Sequence, residues 1–154
     1  MELKKIASFQ IDHRTLQPGL YTSRVDGDIV TYDLRVVRPN GGTYLSNAAM
    51  HTFEHLFATY ARSGTFADKI VYVGPMGCRT GFYLLVRDMA PRDVITLVQG
   101  ALRFTEEFEG AIPGVSEPEC GNFREHDLAA AKREFTPMVT VLQGYTPEML
   151  RYSR

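Results

Sequence analysis

The chain has 154 residues, with 17 Lys and Arg against 18 Asp and Glu for a formal charge of −1, and 44% of its residues are hydrophobic. One ordinary domain spanning 1–154 is expected, large enough to bury a core without disulfides or metal to hold it together. The charge balance argues against a general nucleic-acid binder or a polybasic membrane anchor, and no apolar run approaches membrane-spanning length.

The first residues, M-E-L-K-K-I-A-S-F-Q, contain no apolar centre of signal-peptide length, so a cytoplasmic location is expected. In that compartment Cys78 and Cys120 are expected to be free, catalytic or metal-bound rather than paired. Residues 28–38, D-I-V-T-Y-D-L-R-V-V-R, alternate from Val30 onward. Val30, Tyr32, Leu34 and Val36 face one way and Thr31, Asp33 and Arg35 the other, which predicts a half-buried strand. The turn residues P-N-G-G close it at 39–42. Ser46 or Asn47 can cap a following helix that Gly64 can stop.

Two further strands are predicted at 69–74 and 81–87, joined by the short loop P-M-G-C-R-T. Pro91 opens a long helix with apolar positions at Val94, Ile95, Val98, Ala101, Leu102 and Phe108, ending at Gly110. A Pro- and Gly-containing loop, I-P-G-V-S-E-P-E-C-G, carries Cys120. Residues 127–135 are predicted helical, and Thr146-Pro147 starts a short terminal helix. Strands and helices are intermixed without β-α-β alternation. This points to an α+β fold, a single-layer and mostly antiparallel sheet packed against helices, rather than a doubly wound sheet.

The stretch N-A-A-M-H-T-F-E-H-L-F at 47–57 gives its helix two faces. Ala49, Met50, Phe53, Leu56, Phe57 and Tyr60 form an apolar stripe. His51 and His55, about 40° apart on the helix surface, lie on another face with Glu54 beside them. Histidines at i and i+4 can turn their imidazole nitrogens to one point, a spacing suited to a transition metal. A solvated polar face is the plain alternative. H-x-x-E-H also marks a class of zinc proteases, which are usually larger chains with a further carboxylate ligand. Here the evident third ligand is Cys120, in the polar loop E-P-E-C-G-N. A His51, His55, Cys120 set leaves a fourth position open, as catalytic sites do. Glu54 then stands where a general base would. Cys78 sits in the tight turn G-P-M-G-C-R-T-G, where Arg79 is expected to favour its thiolate; a small buried hydrophobe is the alternative.

Taken together, these segments resemble the S-ribosylhomocysteine lyase family, which makes the autoinducer-2 precursor. The resemblance runs through S-F-Q-I-D-H (8–13), Y-D-L-R (32–35), R-P-N (38–40), H-T-F-E-H-L-F-A (51–58), P-M-G-C-R-T-G-F-Y (75–83), E-C-G (119–121) and H-D-L-A-A-A-K (126–132). It implies a homodimer with its active site at the subunit interface. It also implies one divalent metal per subunit held by His51, His55 and Cys120, with iron(II) the native ion and zinc a replacement. Glu54 and Cys78 would carry protons, and Ser8, Phe9, His13 and Arg35 would contact the substrate. The implied reaction moves the carbonyl of S-ribosylhomocysteine from C1 to C2 to C3 and eliminates homocysteine.

One segment departs from the family pattern. Where relatives usually read D-I-S-P-M-G-C, this chain reads Y-V-G-P-M-G-C, with Tyr72 and Gly74. Two other functions fit the same residues. One is a small metallohydrolase in which Glu54 activates a metal-bound water. The other is a binding protein with a closed structural metal, completed by His13 or His126.

Overall fold

In the computed structural model, which describes residues 1–153, the alternating segment forms a strand at Ile29–Arg35. An unforeseen strand precedes it, β1 (Gly19–Asp26), so the Ile29–Arg35 strand is β2. β3 (Ile70–Pro75) and β4 (Gly81–Arg87) follow closely where expected. The four make one antiparallel sheet in the order β1-β2-β4-β3. β1 left little trace in the sequence because only its start is buried and its far half lies exposed, so no period-2 pattern develops.

Helix α1 spans Asn47–Ala61, with the Ser46 hydroxyl accepting from the Ala49 N–H as its cap. Glu134 adds to that cap, its carboxylate accepting from the Ser46 N–H at 2.6 Å and the Ser46 hydroxyl at 2.7 Å. Negative charge at a helix N-terminus is favourable. Helix α2 covers Pro91–Glu107, α3 Leu128–Phe135 and α4 Pro137–Val141. The carboxylate of Asp127 caps α3 by accepting from the Ala130 N–H at 2.9 Å.

The helices pack on one face of the sheet. Tyr32, Leu34 and Val36 join Phe82, Leu84 and Val86 of β4 and the apolar stripe of α1 in one buried cluster. Phe53 of α1 stacks on Phe135 of α3 at 4.0 Å and meets Phe82 edge-on at 5.1 Å. These rings clamp α1 between sheet and α3, so its histidines are held on a rigid element. The alternation in β2 is as predicted, but its polar side is not solvated. Asp33 and Arg35 are 1% and 2% exposed. No helix among the described residues is long and apolar enough to cross a membrane.

Candidate metal centre and active site

The face of α1 that carries His51 and His55 is met by the loop between α2 and α3. The Nδ1 of His55 lies 2.7 Å from the Pro113 carbonyl, and the Nδ1 of His51 lies 2.9 Å from the Glu125 carbonyl. A carbonyl only accepts, so each Nδ1 carries the ring proton and each Nε2 is left with its lone pair. Gly114, at φ +73°, allows the close approach over His55, where a Cβ would stand 3.2 Å from Nδ1. The same loop brings Cys120 inward, its N–H donating to the Ser116 carbonyl at 3.0 Å.

Cys120 Sγ then lies 3.3 Å from Nε2 of His51 and 3.9 Å from Nε2 of His55. Ligand atoms around a tetrahedral zinc-sized ion stand roughly 3.3–3.6 Å apart, given bonds near 2.0 Å to nitrogen and 2.3 Å to sulfur. The His51–Cys120 distance falls in that range and the His55–Cys120 distance lies a few tenths of an ångström above it. Two freed imidazole lone pairs and a thiol so placed can converge on a divalent transition metal with a small adjustment, and this donor set suits iron(II) or zinc better than magnesium or calcium. The outer hydrogen bonds to carbonyls are those that orient metal-binding histidines.

A fourth group belongs to this cluster. His126 places Nε2 4.0 Å from Cys120 Sγ, and the ligand atoms of all four residues lie within 4.8 Å of one another. Its ring stacks on His51 with centroids 3.8 Å apart. Burial first, and then the neighbouring His51 and His55, push its pKa down to about 4. In the sequence His126 stood out only as one way to close a structural site. Glu54 lies on the same helix between the two histidines, partly exposed, and its carboxylate makes no hydrogen bond among the described residues.

The second group of candidates gathers elsewhere. Ser8, Phe9, His13, Arg35 and Cys78 all line one cleft of about 280 Å³, with Tyr83 between them. Arg35 is fixed there by a bidentate ion pair to Asp33, at 2.7 and 3.1 Å, and by a bond from Nη1 to the Thr80 hydroxyl at 2.8 Å. Burial works against its charge, but the Asp33 carboxylate outweighs that and holds the Arg35 pKa above its ordinary value. Cys78 is exposed, with Sγ 3.1 Å from the Thr80 hydroxyl and 4.0 Å from Nη1 of Arg35. The guanidinium beside Cys78 is therefore that of Arg35. Arg79 instead reaches the Leu45 carbonyl and the ring of Tyr44. It fails as the expected partner because Arg79, at φ +60°, sits in the turn with its side chain carried away from the cleft.

Three residues of this region were not singled out from the sequence as part of a site. Asp33 and Thr80 grip Arg35, and Tyr152 donates its hydroxyl to Asp33. Asp33 and Arg35 stand two apart on one strand, which puts them on the same face, and that spacing was the only available clue. Tyr72 folds over Gly74, so that a Cβ on residue 74 would fall 2.6 Å from one carbon of the phenol ring. Both lie on the β3 side of the sheet, where Gly74 pairs with Tyr83 of the cleft.

The two groups do not meet within one chain. α1 packs on the core face of the sheet, whereas Arg35 and Tyr83 project from the other face. None of His51, Glu54, His55 or Cys120 lines the Cys78 cleft.

Comparison with known proteins bears on both groups at once. The model of the family described as S-Ribosylhomocysteinase (LuxS) matches residues 6–146. Proteins named S-ribosylhomocysteine lyase are similar along nearly the whole chain. The one from Clostridium acetobutylicum is 42% identical, that from Borreliella burgdorferi 44% and that from Desulfotalea psychrophila 45%. Each alignment covers 97% of this chain and 99% of the relative.

Proposed function

Since the chain belongs to the S-ribosylhomocysteinase (LuxS) family, we propose that it cleaves the thioether of S-ribosylhomocysteine, releasing homocysteine and leaving 4,5-dihydroxy-2,3-pentanedione. The observation that carries the reading beyond membership is the pair of freed Nε2 lone pairs of His51 and His55 facing the thiol of Cys120.

The carbon–sulfur bond at C5 of the ribose breaks by elimination only once C4 is acidic. The carbonyl must first move from C1 to C2 and then to C3. Each move takes a proton from a carbon beside a carbonyl and returns one to its neighbour. His51, His55 and Cys120 would hold a divalent metal, iron(II) by preference with zinc as a replacement, which when bound would supply Lewis-acid stabilisation of negative charge developing on the sugar. The carboxylate of Glu54 and the sulfur of Cys78 remove and return the protons, approaching the sugar from different sides. The guanidinium of Arg35 stands 4.0 Å from Cys78 Sγ. Ser8, Phe9 and His13 line the cleft around the substrate. His13 is oriented by its Nδ1–H to the Ile11 carbonyl at 2.8 Å, which leaves Nε2 to accept from a ligand.

A substrate that needs both the metal and Cys78 must touch two sets of residues that one chain keeps apart. This supports a homodimer in which the Cys78 cleft of one subunit faces the metal centre of the other. We take residues 1–154 as one such catalytic domain. The two free thiols suit a reducing compartment, the cytoplasm. Anaerobically purified protein, incubated with S-ribosylhomocysteine, is expected to release free thiol in proportion to its metal content. A folded, metal-loaded protein that releases none would overturn the assignment.

A further inference from the structure

His126 sits close enough to the centre to be a fourth protein ligand, and its surroundings decide whether it is one. The decisive neighbour is Thr52, whose hydroxyl lies 3.2 Å from Nδ1 of His126. That same oxygen accepts the Asp127 N–H at 2.9 Å. Thr52 is 0% exposed, and unlike Ser63, Thr96, Thr105 and Thr136 it makes no bond to the carbonyl four residues earlier. The only acceptor left for its hydroxyl proton among the described residues is Nδ1 of His126. If Nδ1 donated instead, the buried hydroxyl would accept twice and donate nowhere, which buried polar groups avoid.

We propose that His126 is a positioning residue whose Nε2–H donates to the Cys120 sulfur, rather than a fourth metal ligand. The three imidazoles around Cys120 thus carry opposite tautomers. His51 and His55, facing carbonyls, present lone pairs; His126, facing a hydroxyl already engaged as an acceptor, presents a proton. The ring of His126 is also held in place by near-parallel stacking on His51, with 28° between ring planes. The Nε2–H of His126, 4.0 Å from Sγ, draws electron density from the sulfur and leaves the fourth metal position to the substrate. The segment is fixed from behind, because Asp127 both caps α3 and ties its own N–H to Thr52.

The proposal rests on the reading of His51, His55 and Cys120 as a metal centre, and its tests are run without substrate. In the zinc-loaded protein carrying 15N-labelled histidine, long-range proton–nitrogen NMR correlations report which ring nitrogen holds the proton. The expected pattern is Nε2 for His126 and Nδ1 for His51 and His55. A proton on Nδ1 of His126 overturns the proposal. In the cobalt-loaded protein, His126→Ala is expected to move the sulfur-to-metal charge-transfer band to longer wavelength, and His126→Gln to bring it part of the way back. An unmoved band in a folded His126→Ala protein overturns it as well. Failure of the parent protein to turn over S-ribosylhomocysteine would sink the lyase reading and leave the tautomer result standing.

Discussion

Tyr152 donates its hydroxyl to the Asp33 carboxylate over 2.7 Å, which ties the end of the chain to the middle of the sheet. The same carboxylate holds the buried guanidinium of Arg35, so one hydrogen bond near the C-terminus supports the geometry around Cys78. Tyr152→Phe keeps the ring that stacks on Tyr21 and removes only the donor. A loss of about 1.5–3 kcal/mol is expected from urea unfolding, the range for hydrogen bonds to charged groups. Asp33→Ala leaves Arg35 buried without its partner and is expected to cost more, about 3–5 kcal/mol. Equal, negligible losses in both would show that the ion pair contributes nothing to stability.

Metal content separates the two groups of site residues. His51→Ala and Cys120→Ala are expected to lose both metal and activity. Glu54→Gln and Cys78→Ala are expected to keep one metal per chain while turnover falls by about a hundredfold or more, as for lost general acid–base groups. Elemental analysis beside a thiol-release assay distinguishes the pairs. Near-normal thiol release by Cys78→Ala would remove that sulfur from the mechanism.

A shared site makes a different demand. His51→Ala chains and Cys78→Ala chains, inactive alone, are expected to recover activity when mixed and refolded together. A mixed dimer unites the intact metal centre of one subunit with the intact cleft of the other. Random pairing should restore about a quarter of the parent rate. No recovery, with mixed dimers verified by mass spectrometry, would place each complete site within one subunit.

The metal-free protein should weaken in acid through His126. Its folded pKa is about 4 against an ordinary value of 6.5, so the unfolded chain takes up the proton first. The contribution is intact above about 6.5 and is lost as the pH falls through the folded value near 4. Urea midpoints for the parent and for His126→Gln should converge at neutral pH and diverge across that window, with the parent the weaker. A constant difference across the window would exclude His126 as the cause.

Helices α1, α2 and α3 and three of the four strands were legible in the sequence, whereas the five-residue α4 was not, being too short to develop a periodic stripe. The buried stripe of α1 and the core positions of α2 follow the 3.6-residue spacing closely. β1 was missed because an edge strand buried only at its beginning carries no alternation. His51, His55 and Cys120 converge as their types and spacing suggested. The face that carries His51 and His55 is covered in part by the chain's own loop, since Pro113 and Glu125 supply the carbonyls that set the two tautomers. Backbone acceptors of this kind leave no mark on residue identity. Asp33, Thr80 and Tyr152 stayed hidden for another reason. Their role is to satisfy a buried Arg35, and the alternation of β2 suggested water on that side.

Tyr72 and Gly74 act as one structural unit rather than two separate residues. A side chain at position 74 and the present placement of the Tyr72 ring exclude each other. Any side chain at 74 would force the Tyr72 ring to turn away from its present place over the backbone. A smaller residue at 72, with Gly74 kept, would leave the backbone beside Tyr83 without that ring over it. Exchanging either residue alone therefore disturbs the surroundings of the other, and only a double exchange replaces the pair as a unit.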